Sequence, residues 1–364
     1  MPRSPWKRAG TAGAALAGVL LIAAGCGGGG GGGGGTKIAL LLPENQTARY
    51  ESHDRPDFTK QVKALCSKCS VLYSNATGDA TKQQSQADAA LTQGAKVLVL
   101  DAVDAGSAAA IVTKAKAQKV PVISYDRLIT SPDIAAYISF DNARVGKLQA
   151  TSLDTKLASM GKPKGPIIMI NGDPADNNAK LFKSGALGVF SSAGVTIAKQ
   201  YDTPGWLGSN AQNEAQQAIT AVGNNGFAGV YGANDDMAGG AIAAMKSAGI
   251  NPATRPSTGQ DASLAGIQRI LSGDQYMTVY KAATTEAQDA AKAAVPLAQG
   301  KTVPAGLLTS KTPSAGKQIP SLILTPVAVT KSQIKGTIVK DNFFTVAQIC
   351  VPQFAAACKS AGLT

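Results

Sequence analysis

The chain has 364 residues, a length that allows one large or two medium domains. Hydrophobic residues make up 44% and aromatics 5%, so the core must be built from Ala, Val, Ile and Leu, as in α/β layers with close helix–sheet packing. The formal charge is +12, but Lys and Arg do not cluster among aromatics, which argues against nucleic-acid binding.

Residues 1–26 read as a targeting segment rather than as fold. Arg3, Lys7 and Arg8 form a positive start, Ala14 to Ala24 a short apolar stretch, and Gly25-Cys26 its end. That stretch is too short for a membrane-spanning helix. Ile22-Ala23-Ala24-Gly25-Cys26 resembles the lipobox of bacterial lipoproteins, in which the cysteine is diacylated and becomes the new N-terminus; Ala23 stands where that motif usually has leucine. Gly27 to Gly35 (27–35) is an unbroken glycine tract with nothing to pack, a flexible tether of roughly 15–18 Å reach. The expectation is an exported body, lipid-anchored through Cys26 and facing the periplasm or extracellular space. Without the leader, 32 basic groups face 23 acidic ones, a net of +9.

From Thr36 the pattern predicts alternating strands and helices. Strands are expected at Lys37 to Leu42, Val71 to Asn75, Lys96 to Leu100, Val120 to Ile123 and Tyr137 to Phe140. Helices are expected at Asp57 to Leu65, Thr81 to Thr92 and Ser107 to Gln118. The rhythm restarts with a helix at Ala143 to Met160 and continues through strands ending at Asn171, Tyr201, Ala233 and Tyr280. A helix from Thr284 to Ala298, a loop rich in Pro, Gly and Lys, a strand from Leu322 to Val329 and a polar tail complete the chain. Right-handed βαβ crossovers then place helices on both faces of parallel sheets, in two lobes of similar size.

Four cysteines remain after Cys26, in two local pairs, Cys66 with Cys69 and Cys350 with Cys358. Export favours two short disulfides. Zinc is the alternative, but the Cys350–Cys358 spacing is poor for a metal site. No metal or other cofactor is expected.

Polar residues gather just after strands, where open α/β sheets bind ligands. Asp126 and Arg127 follow one strand, Asn234 another, and Lys281 a third. Asp101 and Asp173 are expected only to finish strands, and His53, the single histidine, to lie on the surface without a role. A cleft holding Asp, Asn, Arg and Lys suits a neutral polyhydroxyl ligand, because hydroxyls both donate and accept. Tyr50 and Trp206 could cover the apolar faces of a sugar ring.

The runs SYDRLI, YISFDNARVGKLQA, GDPADNNAKLF, GWL, ANDDMAGGAI, GQDASLAGIQRI, MTVYK and LLTPVAVT, in this order, resemble the periplasmic sugar-binding proteins of ABC importers, type I fold, and most nearly their D-xylose-binding members. The resemblance implies two Rossmann-like lobes joined by three crossovers near Phe140-Asp141, Lys281 and Thr325-Pro326. One lobe would comprise 36–140 plus 282–324, the other 141–281 plus 325–364. The sugar contacts it implies fall on Arg49, Tyr50, Asp126, Arg127, Asn178, Trp206, Asn234, Asp261 and Lys281, with Tyr50 standing where the xylose binders have tryptophan. Its implied partners are a xylose-like monosaccharide and the permease subunits of an ABC transporter, served by a monomeric, non-enzymatic carrier.

Other functions would need other features. A glycosidase could use Asp126 and Asp261 as acid and nucleophile. Arg127 and Lys281 beside them should keep both ionised, whereas a general acid needs a raised pKa. A Ser-His-Asp hydrolase would rest on His53 alone, with no G-x-S-x-G elbow. A sugar-responsive transcription regulator shares the fold but needs DNA-binding helices where the export signal stands. A sensor or receptor of the same fold remains open beside transport.

Overall fold

The first strand, KIALLL, is apolar on both faces, a pattern that suits only the interior of a parallel sheet covered by helices on each side. It becomes β1 (Lys37–Leu42). The computed structural model describes residues 35–363. The targeting segment, Cys26 and all of the glycine tract except Gly35 lie outside the described residues.

After β1 the chain forms α1 (Arg55–Leu65), β2 (Ser70–Asn75), α2 (Ala80–Thr92), β3 (Ala95–Leu100), α3 (Ala109–Ala117), β4 (Val122–Tyr125) and β5 (Ala136–Phe140). It then builds α4 (Asn142–Ser159), β6 (Ile167–Asn171), α5 (Asn177–Ala193), β7 (Ile197–Asp202), α6 (Gly208–Val222), β8 (Gly229–Gly232), α7 (Asp235–Ser247), α8 (Leu264–Ser272) and β9 (Met277–Tyr280). Next come α9 (Ala283–Ala298), β10 (Ser310–Ser314), β11 (Lys317–Leu324) and β12 (Val327–Thr330).

These elements make two α/β lobes. The first lobe holds a seven-stranded sheet in the order β10-β11-β5-β4-β3-β1-β2, parallel except for the β10–β11 hairpin. The second holds β7-β6-β8 and the antiparallel pair β9-β12. Single bridges from Val230 to Ser257 and from Gln260 to Val279 stitch these two pieces together. The chain passes between the sheets three times, from β5 into α4, from β9 into α9, and from β11 into β12. In each sheet the strand order reverses beside the first strand of the lobe, β1 or β6. Those are the switch points where a crevice opens beyond the strand ends. Close packing of α4 on α5 depends on Gly146 and Gly185, where a Cβ would strike the facing helix backbone.

Three expectations are corrected. The stretch Leu322–Val329 is two strands, broken at Thr325-Pro326 because the chain leaves one sheet there for the other. The loop before it contains the β10–β11 hairpin, turned by Ala315 and Gly316 at positive φ (45° and 79°), the geometry that matches strand twist in a two-residue turn. The tail is not merely polar. Ile334, Ile338, Phe343, Phe344, Ile349 and Leu363 bury an apolar cluster against α8 and Tyr280. Their spacing follows neither helical nor strand period, so no pattern in the sequence marks them.

Both cysteine pairs are disulfide-bonded, Cys66–Cys69 below α1 and Cys350–Cys358 in the tail. Among the described residues no helix is long and apolar enough to cross a membrane.

Candidate ligand-binding cleft

Arg49, Tyr50, Asp126, Arg127, Asn178, Trp206, Asn234, Asp261 and Lys281 all line one cavity between the lobes, together with Thr47, Asp176, Phe182 and Gln260. The cavity measures about 20 Å³, room for about one water. A wider groove of about 660 Å³ near Lys156, Tyr276 and Lys331 shares no residue with it.

Asp126 is the centre. It follows β4 with φ 51°, in a turn closed by Arg127 N–H donating to Tyr125 C=O at 2.6 Å. An aspartate pays strain in this region unless its surroundings over-determine it. Here its carbonyl accepts from Tyr137 Oη (3.2 Å), Ser139 Oγ (2.6 Å) and Asn178 Nδ2 (3.1 Å). The carboxylate lies 3.7 Å from Arg49 and 3.7 Å from Lys281. Burial pushes Asp126 up, but Lys281, Arg49 and Arg127 outweigh it and hold the carboxyl below its ordinary range.

Arg49 is fixed from behind by Asp54 and by Glu286 of α9. Arg127 faces three carboxylates, Asp176 (3.1 Å), Glu44 (3.3 Å) and Asp101 (3.6 Å). Tyr50 joins the two: its hydroxyl donates to Asp126 at 3.3 Å and accepts from Arg127 at 3.2 Å. Burial pushes Asp101 and Glu286 well above their ordinary values. Asp101 therefore does more than finish a strand: it is buried against the guanidinium of Arg127.

The second lobe presents its residues differently. Asn178 is not a helix cap; Asp176 caps α5, and Asn178 in its first turn accepts from Asn142 Nδ2 at 2.9 Å while reaching Asp126 across the cleft. Asn234 caps α7, its side chain accepting from the N–H groups of Asp236 and Met237. Trp206, at φ 54° after Gly205 at 70°, donates from Nε1 to Asp176 at 3.2 Å and meets Phe182 edge-on. Gly172 leaves room for that ring, since a Cβ there would overlap the indole. Asp261, at φ 82°, lies 3.2 Å from Lys281 Nζ at the exit of β9.

Among the described residues lining the cavity, four buried polar atoms have no hydrogen-bond partner: Arg49 Nη1, Arg127 Nε, Gln260 Oε1 and Asp261 Oδ1. Three of them sit near an opposite charge without the alignment a hydrogen bond needs. Two are donors and two are acceptors. Asp176, Phe182 and Gln260 were not singled out from the sequence, although the first two stand in the run GDPADNNAKLF and the third precedes Asp261. Glu286 carried no signal, because its contact with Arg49 spans 237 residues.

A buried, charge-balanced polar pocket between two α/β lobes connected by three strands of chain defines a two-lobed solute receptor. The chain belongs to the periplasmic binding protein family: residues 38–302 match the family's "Periplasmic binding protein domain". It is similar to the D-xylose-binding periplasmic protein of Escherichia coli (strain K12), 37% identical over 311 residues that cover 84% of this chain and 90% of that protein. The D-xylose-binding periplasmic protein of Haemophilus influenzae is 35% identical over 313 residues, 85% of this chain and 90% of the relative. Among solved structures, an ABC transporter solute binding protein from Clostridium phytofermentans with bound β-D-glucose superimposes with a TM-score of 0.75 at 26% identity, covering 86% of this chain and 99% of that one.

Proposed function

We propose that this protein captures a neutral monosaccharide outside the cytoplasm, D-xylose being the first candidate, and delivers it to an ABC transporter. The observation that carries the proposal is the set of four unpartnered buried atoms, two donors and two acceptors, in one pocket walled by Tyr50, Phe182 and Trp206. A polyol satisfies both kinds at once, and hydrogen bonds to charged groups are the stronger ones. Three cations, Arg49, Arg127 and Lys281, face Asp126, Asp176 and Asp261, so no net charge calls for an ionic ligand. Xylose is favoured by the two relatives named for it; the glucose-bound structure makes hexoses the next candidates.

The contracted cavity implies that a sugar enters only when the lobes part. The moving bodies are then 36–140 with 282–324 against 141–281 with 325–364, hinged at the three crossovers. Capture requires no bond to be made or broken, and the named relatives are binding proteins rather than enzymes. The protein works as a monomer tethered through a lipid on Cys26.

A thermal-shift and calorimetric screen of pentoses and hexoses tests the reading. A ligand at about 100 times its dissociation constant adds about 2.7 kcal/mol of stability. If no monosaccharide binds at millimolar concentration, the sugar reading is wrong. Cys26→Ala should release the protein from the membrane fraction at unchanged sugar affinity; a wild type already free in the culture fluid removes the anchor from the proposal.

A further inference from the structure

His53 and the tail lie outside the cleft proper, and neither enters the binding scheme above. They meet across the gap between the lobes. His53 sits on a widened helical turn (Tyr50–Asp54) that leads into α1 and also carries Tyr50. Its ring stacks on Phe343 at 3.8 Å and 11°, and Phe344 approaches it edge-on at 5.3 Å. The expected surface position is thus corrected: the imidazole is buried, and its Nε2 has no hydrogen-bond partner.

Both sides of this contact are firmly mounted. On the first lobe, His53 Nδ1 faces Asp57 at 3.8 Å, and the turn is bounded by the Arg49–Asp54 ion pair. On the second, Asn342 at φ 54° swings the chain so that Phe343 packs on Tyr280 (5.0 Å) and Phe344 (5.1 Å). Lys335 Nζ donates to Gly362 C=O at 2.9 Å, Gln268 Nε2 to Ile349 C=O at 3.2 Å, and Cys350–Cys358 closes the tail upon itself. The tail therefore moves with the second lobe. A crevice lined by Thr47, Ser52, Asp236 and Ser263 runs beside the ring stack, so water enters as soon as the lobes separate.

We infer that Phe343 and Phe344 form a clasp which grips His53 when the lobes close and so sets how long the ligand stays bound. The inference rests on the sugar-capture reading for its ligand, but the clasp itself is a property of lobe closure. An aromatic contact that exists only in the closed form slows opening and leaves association almost unchanged. Because His53 is three residues from Tyr50 in the same turn, the clasp also fixes the wall that bears on Asp126.

The test uses the full chain and the tryptophan signal of Trp206, one of only two tryptophans, the other being Trp6 in the leader. Stopped-flow displacement of D-xylose, or of whichever monosaccharide the screen selects, should show dissociation roughly two- to tenfold faster in Phe343→Leu and in His53→Ala, with association within twofold. The double variant should be no faster than the faster single, since both remove one contact. Phe343→Leu keeps an apolar side chain in the tail cluster, which guards against simple misfolding. A lower melting temperature with wild-type rates in both variants means that the contact is only structural and overturns the clasp. If the wild type binds no monosaccharide, the capture reading fails by itself, and small-angle scattering decides the clasp: Phe343→Leu must have a larger radius of gyration than the wild type, and equal radii overturn it.

Discussion

On the first-lobe wall of the cleft, Arg49 stands against the carboxyl groups of Asp126, Asp54 and Glu286, and Arg127 against those of Glu44 and Asp101. On the second-lobe wall, Asn178, Trp206, Asn234 and Asp261 are aimed by backbone devices instead: a first helical turn, a helix cap and left-handed residues at 54° and 82°. The first wall is held mainly by charge and the second mainly by shape, although Asp126 also takes a left-handed φ and Asp261 also meets Lys281. A change on the first should therefore disturb a balance of buried charge, whereas a change on the second should shift an orientation.

The largest expected effect is on the charged wall. Asp126→Ala leaves Arg49 and Lys281 without their shared carboxylate, so sugar binding should vanish in a calorimetric titration. The fold should change little, because Arg49 keeps Asp54 and Lys281 keeps Asp261. A variant that binds normally would move the ligand away from this wall.

Next comes Gly172→Ala, which touches no charge. Its methyl group must displace the Trp206 ring, an overpacking cost of about 1–3 kcal/mol that should appear in affinity and in Trp206 fluorescence. Unchanged emission and affinity would show that the indole has a second resting place. Asn234→Ala is smaller again. Loss of the cap on α7 should lower stability by about 1 kcal/mol, with affinity reduced only through the helix start. An effect as large as that of Asp126→Ala would make the two walls alike and break the distinction.

Asp101→Asn should do least to affinity, because Asp101 stands behind Arg127 and does not line the cavity. It has a signature in pH all the same. Asp101 is raised well above its ordinary 3.8, so the folded protein keeps a proton that the unfolded chain releases. Its contribution to stability is present below pH 3.8 and is lost as pH rises through the folded value. Thermal denaturation of Asp101→Asn should lack that decline, and an identical pH profile would show that burial does not raise Asp101.

Much of the cleft is legible in the sequence, for a local reason. Residues at the ends of parallel strands, such as Asp126, Arg127 and Lys281, are positioned by short apolar runs whose polar successors stand next to them in sequence. The nine residues named from strand ends and from family resemblance all reach one cavity. Asn178 was harder to read, because a polar residue at a helix start serves equally as a cap; in the fold Asp176 takes that duty. The β10–β11 hairpin is hidden because Pro313 and Pro320 argue against strands, yet Pro313 lies on the edge strand β10 and Pro320 precedes the part of β11 that pairs with β5.

By itself, then, the sequence determined the βαβ rhythm, the apolar strands and the polar strand ends, because hydrophobic period and turn chemistry act over a few residues. Tertiary structure alone decided which carboxylates stand behind the guanidinium groups. Arg49 meets Glu286 across 237 residues and Arg127 meets Glu44 across 83, separations at which no local preference operates. It also decided that His53 lies under Phe343 and Phe344 instead of in water. A lone histidine and two phenylalanines in an aperiodic tail have no local reason to meet. They come together because the tail's apolar side chains have nowhere to be buried until the second lobe exists to receive them.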